Sequence, residues 1–482
     1  MKDTKLSEIL LKLTKIEFRN LEEFLLSPFF NKNQNILKLY YILKDNHHML
    51  STGMIEQQEI FRQIFPKEKF DDVKSRKLLS NFTKLVEQYL IILELDNNKV
   101  NTNIILLNAF KDRNITKSFE SLKQIILKEK TLGIKMNEKY YQDMVNLYAQ
   151  MLSYHADSIS SEYETLITKL EEAQNYKFII SKLNINYLAS YVKNNSNKNF
   201  NQRNWCFDDV VKFVEKNKDN IKSEHPVVYL HYLNYIMTQD EDAPAPFNEM
   251  KEFMEAHIDQ LDKASIRFFL MNMNNYCVKL YWNGSNDALN DILRINSYLD
   301  EKDILFIDKK VNANNFLTVV NLSLKLNAVQ FVENFLNKYK DRFPEELKDS
   351  TVYLTLSRIL FARKEYDKSL FALGKVKYIN YFYYINSKLL LCKLYYELNY
   401  LKEISSIIES IKQFQKRNDN IPVAMNKAIN SFLSYLKKLV RMKMNPSERL
   451  NYEEILKATY TAEKEWLADK VKELIHTLPK AS

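Results

Sequence analysis

Seven histidines, three cysteines and a few adjacent carboxylates are the side chains whose chemistry here reaches beyond packing. The histidines are His47, His48, His155, His225, His231, His257 and His476. A zinc site on a helix asks for two His one turn apart and a third ligand. His225 and His231 are six residues apart with Pro226 between them, and the adjacent His47 and His48 leave a helix in different directions. No metal is expected. With four Gly in 482 residues the chain has no phosphate-cradling Gly-rich loop, no dinucleotide fingerprint and no Gly-x-Ser-x-Gly elbow. Asp71-Asp72 and Asp208-Asp209 stand in front of apolar helical stripes, where a carboxylate caps a helix. No catalytic residue and no cofactor is expected, and the chain reads as a non-enzyme.

The elements that position everything else repeat. Segments 313–349, 350–384 and 385–418 each read as a helix, a short turn and a second antiparallel helix. Phe316, Val319 and Ser323 lead to a turn at Leu326-Asn327-Ala328-Val329, then Val332, Leu336 and Tyr339. Tyr353, Leu356 and Leu360 lead to Ala362-Arg363-Lys364-Glu365-Tyr366, then Leu370, Leu373 and Val376. Leu391 and Tyr395 lead to Leu398-Asn399-Tyr400-Leu401, then Ile404, Ile408 and Ile411. Spacings of three and four put each set on one helical face. Pairs this small bury both faces only by stacking on neighbours.

The start-to-start spacings of 37 and 35 residues, and the residues at fixed places within them, resemble the tetratricopeptide family. The small eighth position holds Val320, Ser357 and Cys392, the turn position Asn327, Lys364 and Asn399, and the twentieth Val332, Ser369 and Ile404. Pro344 falls where the family closes its second helix. A fainter fourth unit starts near Leu270, with Cys277 at the small position and Gly284 at the turn. The whole chain also resembles an uncharacterised group of bacterial all-helical proteins, through Ser27-Pro28-Phe29-Phe30-Asn31-Lys32, the repeats, and Ala462-Glu463-Lys464-Glu465-Trp466-Leu467-Ala468. That group implies a fold and no activity. The tetratricopeptide resemblance implies ligand contacts on the concave face, from positions held here by Asn274, Tyr281, Asn321, Arg358, Phe361, Lys393 and Tyr396. Leu317, Leu354 and Leu389 stand where the family's carboxylate clamp needs a cation or amide, so these leucines either line the groove or pack against a further helix.

The remaining chain extends this pattern. A helix from Leu6 to Leu25 ends at Ser27-Pro28, and others run from Asn35 to Lys44, Ile55 to Ile64 after Gly53, and Val73 to Leu95. The Asn-rich run 193–204 reads as a solvated loop, Asp208 as a cap, and 240–246 as a charged, Pro-bearing surface loop. Pro422 opens a helix to Met444, Asn445-Pro446-Ser447-Glu448 reads as a capping box, and a last helix from Tyr452 to Leu478 caps the stack. The expected fold is all-α: an α-solenoid of stacked antiparallel helix pairs, with a helical N-terminal subdomain over 1–95, irregular repeats over 96–269, tetratricopeptide-like repeats over 270–418 and capping helices over 419–482.

A net charge of +9 raises the question of nucleic acid, but 57 of the 70 basic residues are Lys and they are interspersed with 61 acidic ones, as on solvated helix faces. Lys437, Lys438, Arg441 and Lys443 form one candidate basic patch, which doubles as favourable charge at a helix carboxyl end. Cys206, Cys277 and Cys392 are far apart and imply no disulfide framework. Met1 to Leu13 is broken by charges and lacks a signal-peptide core, and no apolar run approaches membrane-spanning length, so a cytoplasmic protein with no membrane insertion is expected. The expected function is a scaffold or adaptor binding a partner protein or peptide on its concave face. The alternative is an RNA-binding or ribosome-associated helical-repeat protein. Sequence leaves the oligomeric state open.

Overall fold

The computed structural model describes residues 4–47, 56–97, 99–131, 137–154, 161–195, 205–239, 244–282, 285, 287–306, 311–445 and 450–477. Outside these fall Gly53, Gly284, His48, His155, residues 196–204 of the Asn-rich run, 240–243, and the expected capping box at Pro446-Ser447-Glu448. The described residues are all-α, with twenty-four α-helices and no strand. Their contacts divide into two units, 1–132 with 146–167, and 133–145 with 168–482.

In the first unit α1 (Lys5–Lys12), α2 (Lys15–Leu26), α3 (Gln34–Asp45), α4 (Gln57–Ile64) and α5 (Asp72–Asn97) enclose a core that includes Leu10, Leu21, Leu39, Tyr40 and Phe82. The single helix expected over Leu6 to Leu25 is two. Thr14 and Glu17 form a capping box, the Thr14 N–H donating to the Glu17 carboxylate at 2.7 Å and the Glu17 N–H to the Thr14 hydroxyl at 3.2 Å. That pair supplies partners for amides a new helix start would orphan, and so outcompetes continuation. Ser27-Pro28-Phe29-Phe30-Asn31 ends α2: Asn31 donates to the Leu25 carbonyl at 3.0 Å, and Phe30 stacks on Phe24 at 4.3 Å. Two further helices, α6 (Lys99–Asp112) and α7 (Thr116–Thr131), pair across Asn114.

The helix α8 (Glu138–Tyr154) and the long α9 (Ser161–Asn195) each contribute residues to both units. The second unit continues with α10 (Phe207–Lys216), α11 (Lys218–Glu224), α12 (Pro226–Gln239), α13 (Pro244–His257), α14 (Lys263–Trp282) and α15 (Ala288–Glu301). Asp208 is not the cap of α10; it lies in the first turn, and Cys206, at φ 56°, holds the cap position. Then come α16 (Ala313–Lys325), α17 (Val329–Tyr339), α18 (Glu345–Ala362), α19 (Tyr366–Leu373), α20 (Tyr381–Glu397) and α21 (Leu401–Arg417). Each of these packs as a pair, α16 with α17, α18 with α19 and α20 with α21, while α16 contacts α18 and α18 contacts α20. In α21, Ile404, Ile407, Ile408 and Ile411 face inward at helical spacing, each worth about 1.5–3 kcal/mol of burial.

The three pair turns share one backbone solution. Asn327, Lys364 and Asn399 sit at φ 57°, 62° and 62°. The next residue's N–H returns to a carbonyl five residues back: Ala328 to Ser323 at 3.1 Å, Glu365 to Leu360 at 2.9 Å and Tyr400 to Tyr395 at 2.8 Å. This left-handed cap satisfies carbonyls that the helix end leaves unpaired. The same turn recurs at Asn114, φ 53°, where Ile115 bonds Phe110, and Ser285 makes the matching bond to Leu280 after α14. Within the middle pair Ser357 and Ser369 exchange hydroxyl-to-carbonyl bonds at 2.9 and 2.7 Å, so two small side chains let the helices approach closely. Pro344 does not close α17, which passes through a 3-10 turn at Lys340–Arg342; it caps the start of α18.

After these pairs α22 (Val423–Met444) packs on α21, and α23 (Tyr452–Lys457) and α24 (Lys464–Thr477) follow. The one helix expected from Tyr452 to Leu478 is therefore interrupted over residues 458–463, with Tyr460 at φ 45° and Glu463 at φ 50°. Helical propensity alone does not foretell the break, because its cause is tertiary. The Tyr460 N–H donates to the Trp282 carbonyl at 2.8 Å and the Ala462 N–H to the Ala428 carbonyl at 3.1 Å.

Candidate functional site

The last turns of the first helices form a wall, and the interrupted segment runs along it. Tyr281 ends α14, Lys325 ends α16, Phe361 lies in the last turn of α18, and Tyr396 and Glu397 end α20. Helix carboxyl ends carry partial negative charge, so carboxylates seated here need compensating cations. Lys325, Arg358 and Lys393 supply them. The Lys393 ammonium meets the Glu463 carboxylate at 2.6 Å, and Lys325 meets Glu465 at 2.9 Å. Tyr281 donates its hydroxyl to Glu465 at 2.7 Å, and Lys325 donates in turn to that hydroxyl. The Lys393–Glu463 side chains are only 12 % and 16 % exposed, which sets that pair apart from surface ion pairs, while Glu465 opposite Lys325 is 28 % exposed.

The electrostatics are those of a closed cluster. Burial works to raise the Glu463 carboxyl, but Lys393, Lys325 and Arg358 outweigh it and hold it at about 2. Glu465 is likewise lowered against burial by Lys325 and the Tyr281 hydroxyl. Burial opposes the charge of Lys325, yet Glu465, Tyr281 and Glu463 raise it above the ordinary lysine range. Arg358 is buried, donating to the Leu317 carbonyl at 3.2 Å and to Asn386 at 2.6 Å, and burial lowers it to about 10.

An aromatic anchor follows the two acids. The Trp466 indole N–H donates to Glu397 at 2.8 Å, and its ring meets Tyr396 edge-on at 5.3 Å. Lys470, one turn further, pairs with the same Glu397 at 3.0 Å. On the approach side, the hydroxyls of Ser431 and Thr461 lie 2.7 Å apart. The segment thus presents acid, acid, aromatic and cation in that order to cations, tyrosines and one acid of the wall.

The residues singled out by sequence divide as follows. Tyr281, Lys393 and Tyr396 touch the segment directly, Phe361 lies under the Lys393 ammonium at 4.5 Å, and Arg358 lies close enough to Glu463 for their charges to interact. Asn274 is buried apart from them, accepting from Asn296 at 2.7 Å, and Asn321 is half-buried. Leu317, Leu354 and Leu389 are buried. In the candidate basic patch Lys437, Lys438 and Arg441 are exposed, whereas Lys443 turns inward over the Tyr396 ring at 4.3 Å and donates to the Tyr396 carbonyl at 3.2 Å. Sequence reasoning missed Lys325, the last residue of α16, and missed that Glu463, Glu465 and Trp466 are what the wall holds. The motif containing those three was visible; its placement was not.

Elsewhere, His231 is buried with its Nδ1 lacking a hydrogen-bond partner, and burial holds its imidazole at about 3. It borders a cleft of about 620 Å³ with Asn184, Lys177 and Phe268. An apolar cleft of about 530 Å³ lies between α18 and α19, beside the exposed Phe371. Among the described residues no group of His, Cys, Asp and Glu is arranged to hold a metal ion, and no helix is long and apolar enough to cross a membrane. No protein-family model, no curated protein and no solved structure matches this chain.

Proposed function

We propose that the chain is a non-enzymatic, cytoplasmic interaction scaffold: a tetratricopeptide-like α-solenoid that binds a partner protein or peptide along the wall of its first helices. One observation carries the reading. The wall already holds another part of the chain: non-helical residues 460 and 463 through a main-chain bond to Trp282 and an ion pair to Lys393, and the first turn of α24 through the Lys325–Glu465 pair and the Trp466 anchor. Charged pairs and an aromatic anchor set in a pocket are means by which a protein surface holds a peptide segment. Stacked pairs with one shared turn supply the rigid support such a surface needs.

Purification of the full chain from lysate of its own cells, with and without nuclease treatment, is the test. A protein partner in fixed stoichiometry is expected, retained as salt rises and reduced by Lys393→Met. Recovery of nucleic acid alone, with affinity falling steeply with salt, would replace the scaffold with the RNA-binding alternative.

A further inference from the structure

The two acids of the segment sit at the amino end of α24, which favours them, but face the carboxyl ends of the wall helices, which do not, and the backbone leading into α24 is strained. A tyrosine and a glutamate both adopt left-handed conformations at φ 45° and 50°, which side chains with a β-carbon rarely take. Strain of this kind persists only where surrounding contacts impose it. Here those contacts are the ion pairs to Lys325 and Lys393 and the main-chain bonds to Trp282 and Ala428. One buried and two largely enclosed cations also stay together only if carboxylates accompany them, since an uncompensated charge withdrawn from water is costly. The wall therefore suits two carboxylates two residues apart, and the chain supplies a pair of its own, the first of them on strained backbone.

Resting on the scaffold reading, we infer that residues 459–470 are a built-in occupant of the wall. The partner class is a protein segment of the same chemistry: Glu-x-Glu, an aromatic residue next, and a cation one turn later to meet Glu397. Charge complementarity argues for that order. Lys325, Lys393 and Arg358 face the acids, Tyr396 faces the aromatic edge, and Glu397 faces Lys470. Covalent attachment gives the resident segment a high effective concentration, so a free peptide competes poorly until the segment's own grip is weakened.

The experiment uses the full chain and a fluorescent synthetic peptide of residues 458–472. Binding is read by anisotropy to wild type and to the variant Glu463→Gln/Glu465→Gln. The double variant is expected to bind the peptide at least about tenfold more tightly than wild type does, and to melt at higher temperature with peptide than without. A peptide carrying Gln at both acid positions, or addition of Lys393→Met to the double variant, is expected to lose at least about tenfold in affinity. Should the double variant not fold, Glu465→Gln alone is measured for the same ordering. Absence of binding to the weakened chain, or equal affinity for the acidic and Gln peptides, overturns the inference. If the peptide fails while a stoichiometric partner is still captured, this inference falls and the scaffold reading stands. If the peptide binds but no protein partner is captured, it is the scaffold reading that fails.

Discussion

Glu463 joins local strain to long-range charge, and pH separates the two. Its folded carboxyl is held at about 2 against an ordinary value of 4.5. A carboxyl lowered on folding contributes stability that is complete above 4.5 and disappears as pH falls toward 2. The difference amounts to about 3 kcal/mol. Wild type is therefore expected to be more stable than Glu463→Gln at neutral pH, with the gap closing between pH 4.5 and 2. Melting temperature followed by tryptophan emission across that range checks it, and a constant gap would mean that Glu463 contributes by shape and not by charge. None of this was legible at the residue itself. A glutamate in a charged C-terminal helix reads as solvated, and only the fold brings Lys393 to it across 70 residues of sequence.

Turns were the most legible elements because their chemistry is local. Asn327, Lys364 and Asn399 fall at the turn position that the tetratricopeptide resemblance implies, and all three are left-handed. Asn tolerates that conformation and Lys does not, so the middle turn carries avoidable strain. Lys364→Gly is expected to stabilise the chain by about 0.5–1 kcal/mol, the relief of strain exceeding the added freedom of the unfolded chain. Asn399→Gly should gain less. Chemical denaturation of the two variants decides the matter, and destabilisation by Lys364→Gly would refute the argument. Breaks were legible only when their cause was local too. Pro28 ends a helix visibly, and the Thr-x-x-Glu pattern at Thr14 and Glu17 is an equally local signal for the break before α2. The break over 458–463 was not readable, since its determinants are carbonyls of Trp282 and Ala428.

For the molecule as a whole, the cores set how far damage spreads. Cys392 is fully buried, its thiol pushed up to about 12 by burial, in a core shared with Ile404, Ile411, Phe432, Leu467 and Val471. The core of α1 to α5 contains none of these residues. Cys392→Trp overfills a tight site and is expected to cost about 1–3 kcal/mol, with Cys392→Ala costing less. Hydrogen exchange should quicken in α20 to α24 and stay unchanged in α1 to α5. Uniform quickening would show that the two cores unfold as one. Composition made the all-helical class legible, since four glycines in 482 residues leave little for tight hairpins. Unit boundaries were harder to see, because α8 and α9 run through them without a break in helical pattern.

The wall and its occupant are also separated in time. Glu465 is made 184 residues after Tyr281 and 140 after Lys325. At typical rates of synthesis of about 5–20 residues per second, Tyr281 waits about 10 to 40 s for the carboxylate it will hold. Lys393 itself is made only 70 residues before Glu463, so the growing chain carries the wall's cations without these acids for about 4 to 14 s of that interval. Whatever acidic segment is nearby, on a partner or on another nascent chain, meets the site before its resident does.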